Sequence, residues 1–343
     1  MPALAVADAL RAEGAEVIFA GGERAERSLV PAAGYELRTL RVAPLARRSL
    51  TGMVRAGAID AAAVREARRL LRSLRPGAVL GAGGYASGPV GLAAVMSRIP
   101  LVLMEADSHL GLTNRMLAPA AKRVCLSFPI EGRDGRRYVL TGRPVPEPVT
   151  DRDAARTRFG IGADEQCVLV FGGSQGARSI NKAAIEAFAG ARFRVIHAAG
   201  ERDLPDLTAP GAHYDLRGYI SDFGQALAAS DLVVARSGGS VFEVAVHERP
   251  MVLIPYPYAT ADHQTENARY MERAGAAIVI ADSDLTPPRL AQEVGRLLAD
   301  RGRLGAMARA SGGLARPEAA REIAAEVLAA ARVKEKRGAA ECQ

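Results

Sequence analysis

The 343-residue sequence has no tryptophan, three cysteines and only 5% aromatic residues. Cys125, Cys167 and Cys342 stand far apart and in no metal-ligand spacing, which argues against a disulfide framework and a zinc site and fits a reducing compartment. No apolar run is long enough to cross a bilayer. The longest, residues 89–103, is broken by Arg98 and Pro100. Residues 2–10 are apolar, but Asp8, Arg11 and Glu13 make them one side of an amphipathic helix rather than a signal peptide. The absences predict a soluble chain on the cytoplasmic side.

Composition is otherwise ordinary, at 49% hydrophobic and 24% charged residues, so disorder is excluded as the dominant state. The length suits about two domains, each able to bury a core. The net charge of +7 is unevenly spread. Residues 1–146 hold 21 Lys and Arg against 12 Asp and Glu, whereas residues 147–343 hold 24 against 26. A basic half attracts phosphates, nucleic acid or an anionic membrane, and charge alone leaves all three open. Nucleic acid fits worst, because the basic half has few aromatics and no recognised module.

Strands and helices alternate along the chain. Residues 2–13 read as a helix and 16–20 as a strand, so the strand expected before this helix in a βαβ unit is missing. Residues 78–84, 101–105 and 123–128 read as strands, with helices at 89–98 and 112–121. Three prolines in six residues mark a linker within 141–154. The pattern restarts with strands at 167–173, 193–200, 231–239, 251–257 and 276–280, helices at 179–188 and 264–275, and a largely helical stretch over 286–332. The fold class expected is α/β, with two Rossmann-like, doubly wound parallel sheets and a cleft between them. Residues 40–56 mix apolar residues with Arg41, Arg47, Arg48 and Arg55, and read as a surface loop or a membrane-facing patch.

Three glycine-rich turns follow predicted strands. Residues 81–88 satisfy a loose dinucleotide fingerprint, with Glu105 and Asp107 about 20 residues on. Residues 172–177 bring bare backbone N–H groups, Ser174 and Gln175 to a helix start, suited to phosphate oxygens or simply to a tight turn. Residues 236–243 place Gly238, Gly239, Ser240 and Val241 before a helix that carries Glu243. That glutamate is either a solvated surface residue or a carboxylate for ribose hydroxyls. Asp262, His263 and Gln264 open another helix, as a cap with polar neighbours or as readers of sugar hydroxyls. The D-x-D pairs Asp151/Asp153 and Asp282/Asp284 flank helix starts and are expected to be caps rather than metal ligands.

Taken together, GGYASGP (83–89), GLTNR (111–115), GGSQGA (172–177), GYI (218–220), RSGG…E (236–243), LIPYP (253–257) and DHQTENA (262–268) resemble the MurG-type N-acetylglucosaminyltransferases. The resemblance runs from residue 2 to about 330. It implies a GT-B fold, with residues 1–146 meeting the acceptor and membrane, 147–332 holding UDP-GlcNAc and 333–343 a flexible tail. It implies inverting transfer of GlcNAc to undecaprenyl-pyrophosphoryl-MurNAc-pentapeptide without metal or cofactor, by a peripheral protein on the cytoplasmic face of an anionic membrane. Ser174 is then expected at the diphosphate, the Ile220 backbone at uracil and Glu243 at ribose. Residues Gly238 to Val241 line phosphate and sugar, and Gln264 reads GlcNAc, with His263 beside it.

Three departures from the family pattern matter. The family opens with a strand and a glycine loop carrying a histidine, while this chain starts at the proline of that motif, Pro2, which predicts an upstream start. Met104-Glu105-Ala106-Asp107 replaces the family's HEQN, and with the glycine-loop histidine absent, Asp107 or Glu105 is the candidate to accept the hydroxyl proton. Arg143-Pro144-Val145-Pro146 replaces its NPVR, so the phosphate-directed guanidinium is lost at position 146 and Arg143 is the residue expected to replace it. Two other readings stand beside this one: a nicotinamide-dependent Rossmann enzyme using the 81–88 turn, and an impaired nucleotide-sugar-binding protein.

Overall fold

The computed structural model describes residues 2–22, 26–40, 50–173, 175–259 and 262–341, except the side chains of 50–60, Tyr85 and 333–341. Residues 41–49 of the arginine-rich stretch and Ser174 therefore lie outside the described residues. The chain divides into two units, one of residues 1–145 with 318–343 and the other of residues 146–317.

The first unit begins with α1 (Pro2–Ala12), which carries proline at its first position, where the missing N–H costs no hydrogen bond. Then come β1 (Ile18–Gly21), α2 (Glu26–Ala32), β2 (Glu36–Thr39) and α3 (Leu50–Leu74). They are followed by β3 (Val79–Gly81), α4 (Gly84–Met96), β4 (Leu101–Glu105), α5 (Leu112–Leu117), β5 (Arg123–Leu126) and β6 (Tyr138–Leu140). All strand pairs are parallel. Strands β1 and β2 pair with one another, and β3-β4-β5-β6 form a second sheet. Leu101, Val102 and Leu103 are almost wholly buried, as expected for a parallel strand covered on both faces.

The second unit holds α6 (Arg152–Arg158), β7 (Cys167–Phe171), α7 (Arg178–Ala187), β8 (Arg194–Ala198), β9 (Tyr214–Arg217), α8 (Phe223–Ala229) and β10 (Leu232–Ala235). It continues through α9 (Val241–Val246), β11 (Met251–Leu253), α10 (His263–Arg273), β12 (Ala277–Val279), α11 (Pro287–Ala299) and α12 (Arg301–Gly313). Its six parallel strands run in the order β12-β11-β10-β7-β8-β9. Counted within the unit, that is the Rossmann order 6-5-4-1-2-3, and the chain switches direction between β7 and β10. The loops after those two strands are where such a sheet binds its ligand.

The last helix, α13 (Ala319–Glu341), departs from the expected boundaries. Ile323, Ala324, Val327 and Ala330 bury against Val6 and Leu10 of α1 and Val102, Met104 and Cys125 of the first unit's sheet. Arg123 at the start of β5 pairs with Glu326 at 2.8 Å. The helix therefore closes the first unit, although the sequence places residues up to 332 in the second. Helical periodicity shows that a face is buried but not what covers it. Residues 333–341 continue this helix rather than forming an irregular tail.

Candidate functional site

At the switch point, two glycine loops press together. A Cβ on Gly176, whose φ is +72°, would lie 2.0 Å from the Ala199 carbonyl oxygen, and one on Gly200 would lie 2.7 Å from Gly176 Cα. No side chain fits there, so the loop after β7 is held by its neighbour after β8. The loop leads into α7, presenting backbone N–H groups and the exposed Gln175. Two residues beyond Gly218, Ile220 is 4% exposed.

Beneath these loops lies a buried polar chain. Tyr214 Oη donates to His197 Nδ1 at 2.8 Å, and His197 Nε2 donates to Asn181 Oδ1 at 3.1 Å. The Asn181 amide donates to the Ala199 carbonyl and to Asp203. Asp203 also takes Arg178 and Arg202, whose guanidinium donors hold its carboxyl below the ordinary range. Burial pushes His197 down to about 4, so the ring is neutral.

The second loop follows β10. Gly238, Gly239 and Ser240 are half-exposed, Val241 is buried, and Glu243 is half-buried in the first turn of α9. His247 Nδ1 donates to the Glu243 carbonyl at 2.7 Å, while Nε2 accepts from Val149 N–H at 3.1 Å, which fixes one tautomer. Ser237 donates to the Gln264 carbonyl oxygen at 2.7 Å, and Asn267 Nδ2 donates to the Ser237 carbonyl at 3.1 Å. Gln264 Oε1 accepts from Tyr256 N–H at 3.0 Å. The Gln264 amide nitrogen lies 4.0 Å from where a Gly238 Cβ would stand, so amide and loop face one another. His263, half-buried, is the first residue of α10.

Of the acidic residues expected as caps, Asp151 accepts from Ala154 N–H at 2.9 Å as predicted. Asp262 caps no backbone N–H, and its carboxylate takes the Thr265 hydroxyl instead. Asp282 receives Arg236 and Ser179, partners too distant in sequence for spacing to suggest.

In the first unit, Glu105 ends β4 with 5% exposure. Its carboxylate accepts from the backbone N–H groups of Ala106, Asp107 and Gly111 and from Asn114 Nδ2, at 2.8 to 3.3 Å. Four donors occupy its lone pairs, so it organises the 106–111 loop, a different task from the acid–base one expected. Asp107 is half-exposed on that loop. Arg143 is half-buried just beyond β6. The 81–88 turn is mostly helix: α4 starts at Gly84, after positive φ at Gly83 and Gly84, and Ala86 sits in its first turn.

Family models match both units: the glycosyltransferase family 28 N-terminal domain over residues 1–126 and its C-terminal domain over 167–326. A UDP-N-acetylglucosamine–N-acetylmuramyl-(pentapeptide) pyrophosphoryl-undecaprenol N-acetylglucosamine transferase of Halothermothrix orenii is 36% identical, covering 92% of this chain and 91% of that one. The protein of the same name from Moorella thermoacetica is 40% identical, covering 95% and 94%. Among solved structures, Acinetobacter baumannii MurG superposes with a TM-score of 0.79 at 29% identity, covering 95% of each chain. The calicheamicin glycosyltransferase CalG4, 18% identical with a TM-score of 0.67, shares the fold. With glycine loops at a Rossmann switch point, both domain models matched and relatives aligned along nearly the whole length, this GT-B chain belongs to the MurG-type N-acetylglucosaminyltransferases of glycosyltransferase family 28.

Proposed function

We propose that this chain transfers GlcNAc from UDP-GlcNAc to undecaprenyl-pyrophosphoryl-MurNAc-pentapeptide with inversion at the anomeric carbon. The observation that carries the reading is the pair of loops at the β7/β10 switch point, with Glu243 and Gln264 beside the second. The loop containing Ser174 and Gln175 offers backbone donors to the diphosphate, whose negative charge grows as UDP departs. The Ile220 backbone takes the uracil edge, and Glu243 accepts the ribose hydroxyls. Residues Gly238 to Val241 line the phosphates and sugar, while Gln264 and His263 read the GlcNAc hydroxyls. Arg143 supplies a further cation for phosphate. Asp107, on the loop that Glu105 organises, takes the proton of the attacking hydroxyl, and no metal enters the step.

The membrane is the second partner. Leu92, Met96, Leu112 and Met116 are exposed on α4 and α5, with Arg98 and Arg115 exposed nearby in sequence. Among the described residues no helix is long and apolar enough to cross a membrane. Apolar side chains dipping between anionic head groups, with arginines at their rim, suit peripheral docking on the cytoplasmic face.

Thermal unfolding with ligand tests the donor reading. UDP at 100 times its Kd should stabilise the chain by about 2.7 kcal/mol. Glu243→Ala should raise the KM for UDP-GlcNAc about tenfold, the factor one lost hydrogen bond carries. Stabilisation by NAD(H) but not by UDP would instead favour the nicotinamide-dependent reading.

A further inference from the structure

We propose that Arg236 is a positioning residue for the donor sugar, holding the backbone that aims the Gln264 amide. The inference rests on the donor-site reading above and adds a residue that touches no substrate. Arg236 directly follows β10 and is 8% exposed, a burial seldom tolerated by a cation without several partners. Its Nη1 lies 3.1 Å from the Ile254 carbonyl oxygen, 3.0 Å from that of Pro255 and 2.6 Å from Asp282 Oδ1. Its Nη2 donates to Ser179 Oγ at 2.8 Å, and Ser179 donates to the same Asp282 oxygen at 2.7 Å.

Those partners lie beyond the C-terminal ends of three parallel strands, β7, β11 and β12, and Arg236 itself follows a fourth, β10. Ser179 is in the first turn of α7, after the β7 glycine loop. Ile254 and Pro255 follow β11, and Asp282 follows β12. One planar guanidinium therefore gathers the whole ligand-facing edge on that side of the switch point. The Tyr256 ring centroid lies 5.5 Å from the guanidinium carbon, adding an aromatic contact to the polar ones.

The link to the sugar is short. Arg236 holds the carbonyls of residues 254 and 255, and the next backbone N–H, that of Tyr256, donates to Gln264 Oε1. With its oxygen engaged, Gln264 is left to present its NH2 toward the Gly238 loop. Gln264 thus acts as a donor to a sugar oxygen, with its orientation set from behind. A lysine retains charge at position 236 but has no fork to serve carbonyls, carboxylate and hydroxyl together.

Dissociation constants for UDP and UDP-GlcNAc, with steady-state KM and kcat, test this on Arg236→Lys, Gln264→Ala and the double variant. Each single variant should weaken UDP-GlcNAc about tenfold, leave UDP within about twofold, and change KM more than kcat. The double variant should be no weaker than either single one, because both act through one amide. Asp282→Asn keeps the side chain's shape, gives a second probe if Arg236→Lys does not fold, and should lower UDP-GlcNAc affinity severalfold relative to UDP. Additive losses in the double variant, or a lowered Tm with KM unchanged, overturn the proposal. Failure of the unaltered chain to bind UDP overturns the donor-site reading itself.

Discussion

His197 is wholly enclosed in the second unit, with Tyr214 and Asn181 satisfying both ring nitrogens. Its folded pKa of about 4 lies below the ordinary 6.5. The unfolded chain therefore binds a proton that the folded chain refuses, and stability falls as pH drops from about 6.5 to about 4, then levels off. Above 6.5 the group contributes no pH dependence. In urea titrations across this range, His197→Gln should lose one proton's share of the slope, and an unchanged slope would refute the assignment. The same residue shows where sequence reading stops. The glycine loops and Glu243 were legible because a local string dictates turn, helix start and nearby carboxylate. The tasks of His197, Glu105 and Arg236 were not, although Glu105 stood among the candidates and Arg236 within a quoted motif, because those tasks depend on donors and acceptors brought in by folding. Asp282 lies 46 residues from Arg236, and no spacing rule joins them.

At the scale of elements, α4 and α5 carry an apolar surface that water alone does not explain. Gly88 approaches Thr113, and a Cβ on Gly91 would meet Leu117 at 2.6 Å, so these two helices pack closely. Their exposed Leu92, Met96, Leu112 and Met116 are spaced four apart within each helix, forming a stripe on each. Met116, at 72% exposure, is the outermost. Co-sedimentation with phosphatidylglycerol-containing vesicles should show binding that Met116→Asp weakens about tenfold, with UDP affinity retained. Equal binding by the variant would remove α5 from the docking surface. The sequence offers residues 40–56, where apolar residues alternate with arginines, as a surface loop or a membrane-facing patch, and residues 41–49 of it lie outside the described residues. The exposed stripe on α4 and α5 lies on segments that the sequence marks only as helices, since periodicity does not say which face stays uncovered. The apolar runs of β4, β7, β10 and β11 were plain, whereas β2, β6 and β9 are short and more exposed, and left no run to find.

For the whole molecule, the continuity of the second unit and the discontinuity of the first lead to opposite expectations. Residues 146–317 contain all six strands of one sheet and their own core. Expressed alone, this segment should unfold cooperatively and bind UDP, as circular dichroism and calorimetry would report. Residues 1–145 alone leave Val6, Leu10, Val102, Met104 and Cys125 without the α13 side chains that cover them, and should aggregate or fail to fold. A nucleotide-binding fragment that melts without cooperativity would show that the two units depend on one another.

The return of α13 to the first unit also sets an order in time. A ribosome delivers residue 145 long before residue 318, a lag of roughly 10–30 s at about 5–20 residues per second. Residue 317, the last of the nucleotide half, emerges at the end of that lag and just ahead of α13, so the acceptor half, begun first, is completed last. A nascent or prematurely terminated product therefore has its donor pocket before its acceptor half is complete, and the protein matures back to front relative to its synthesis.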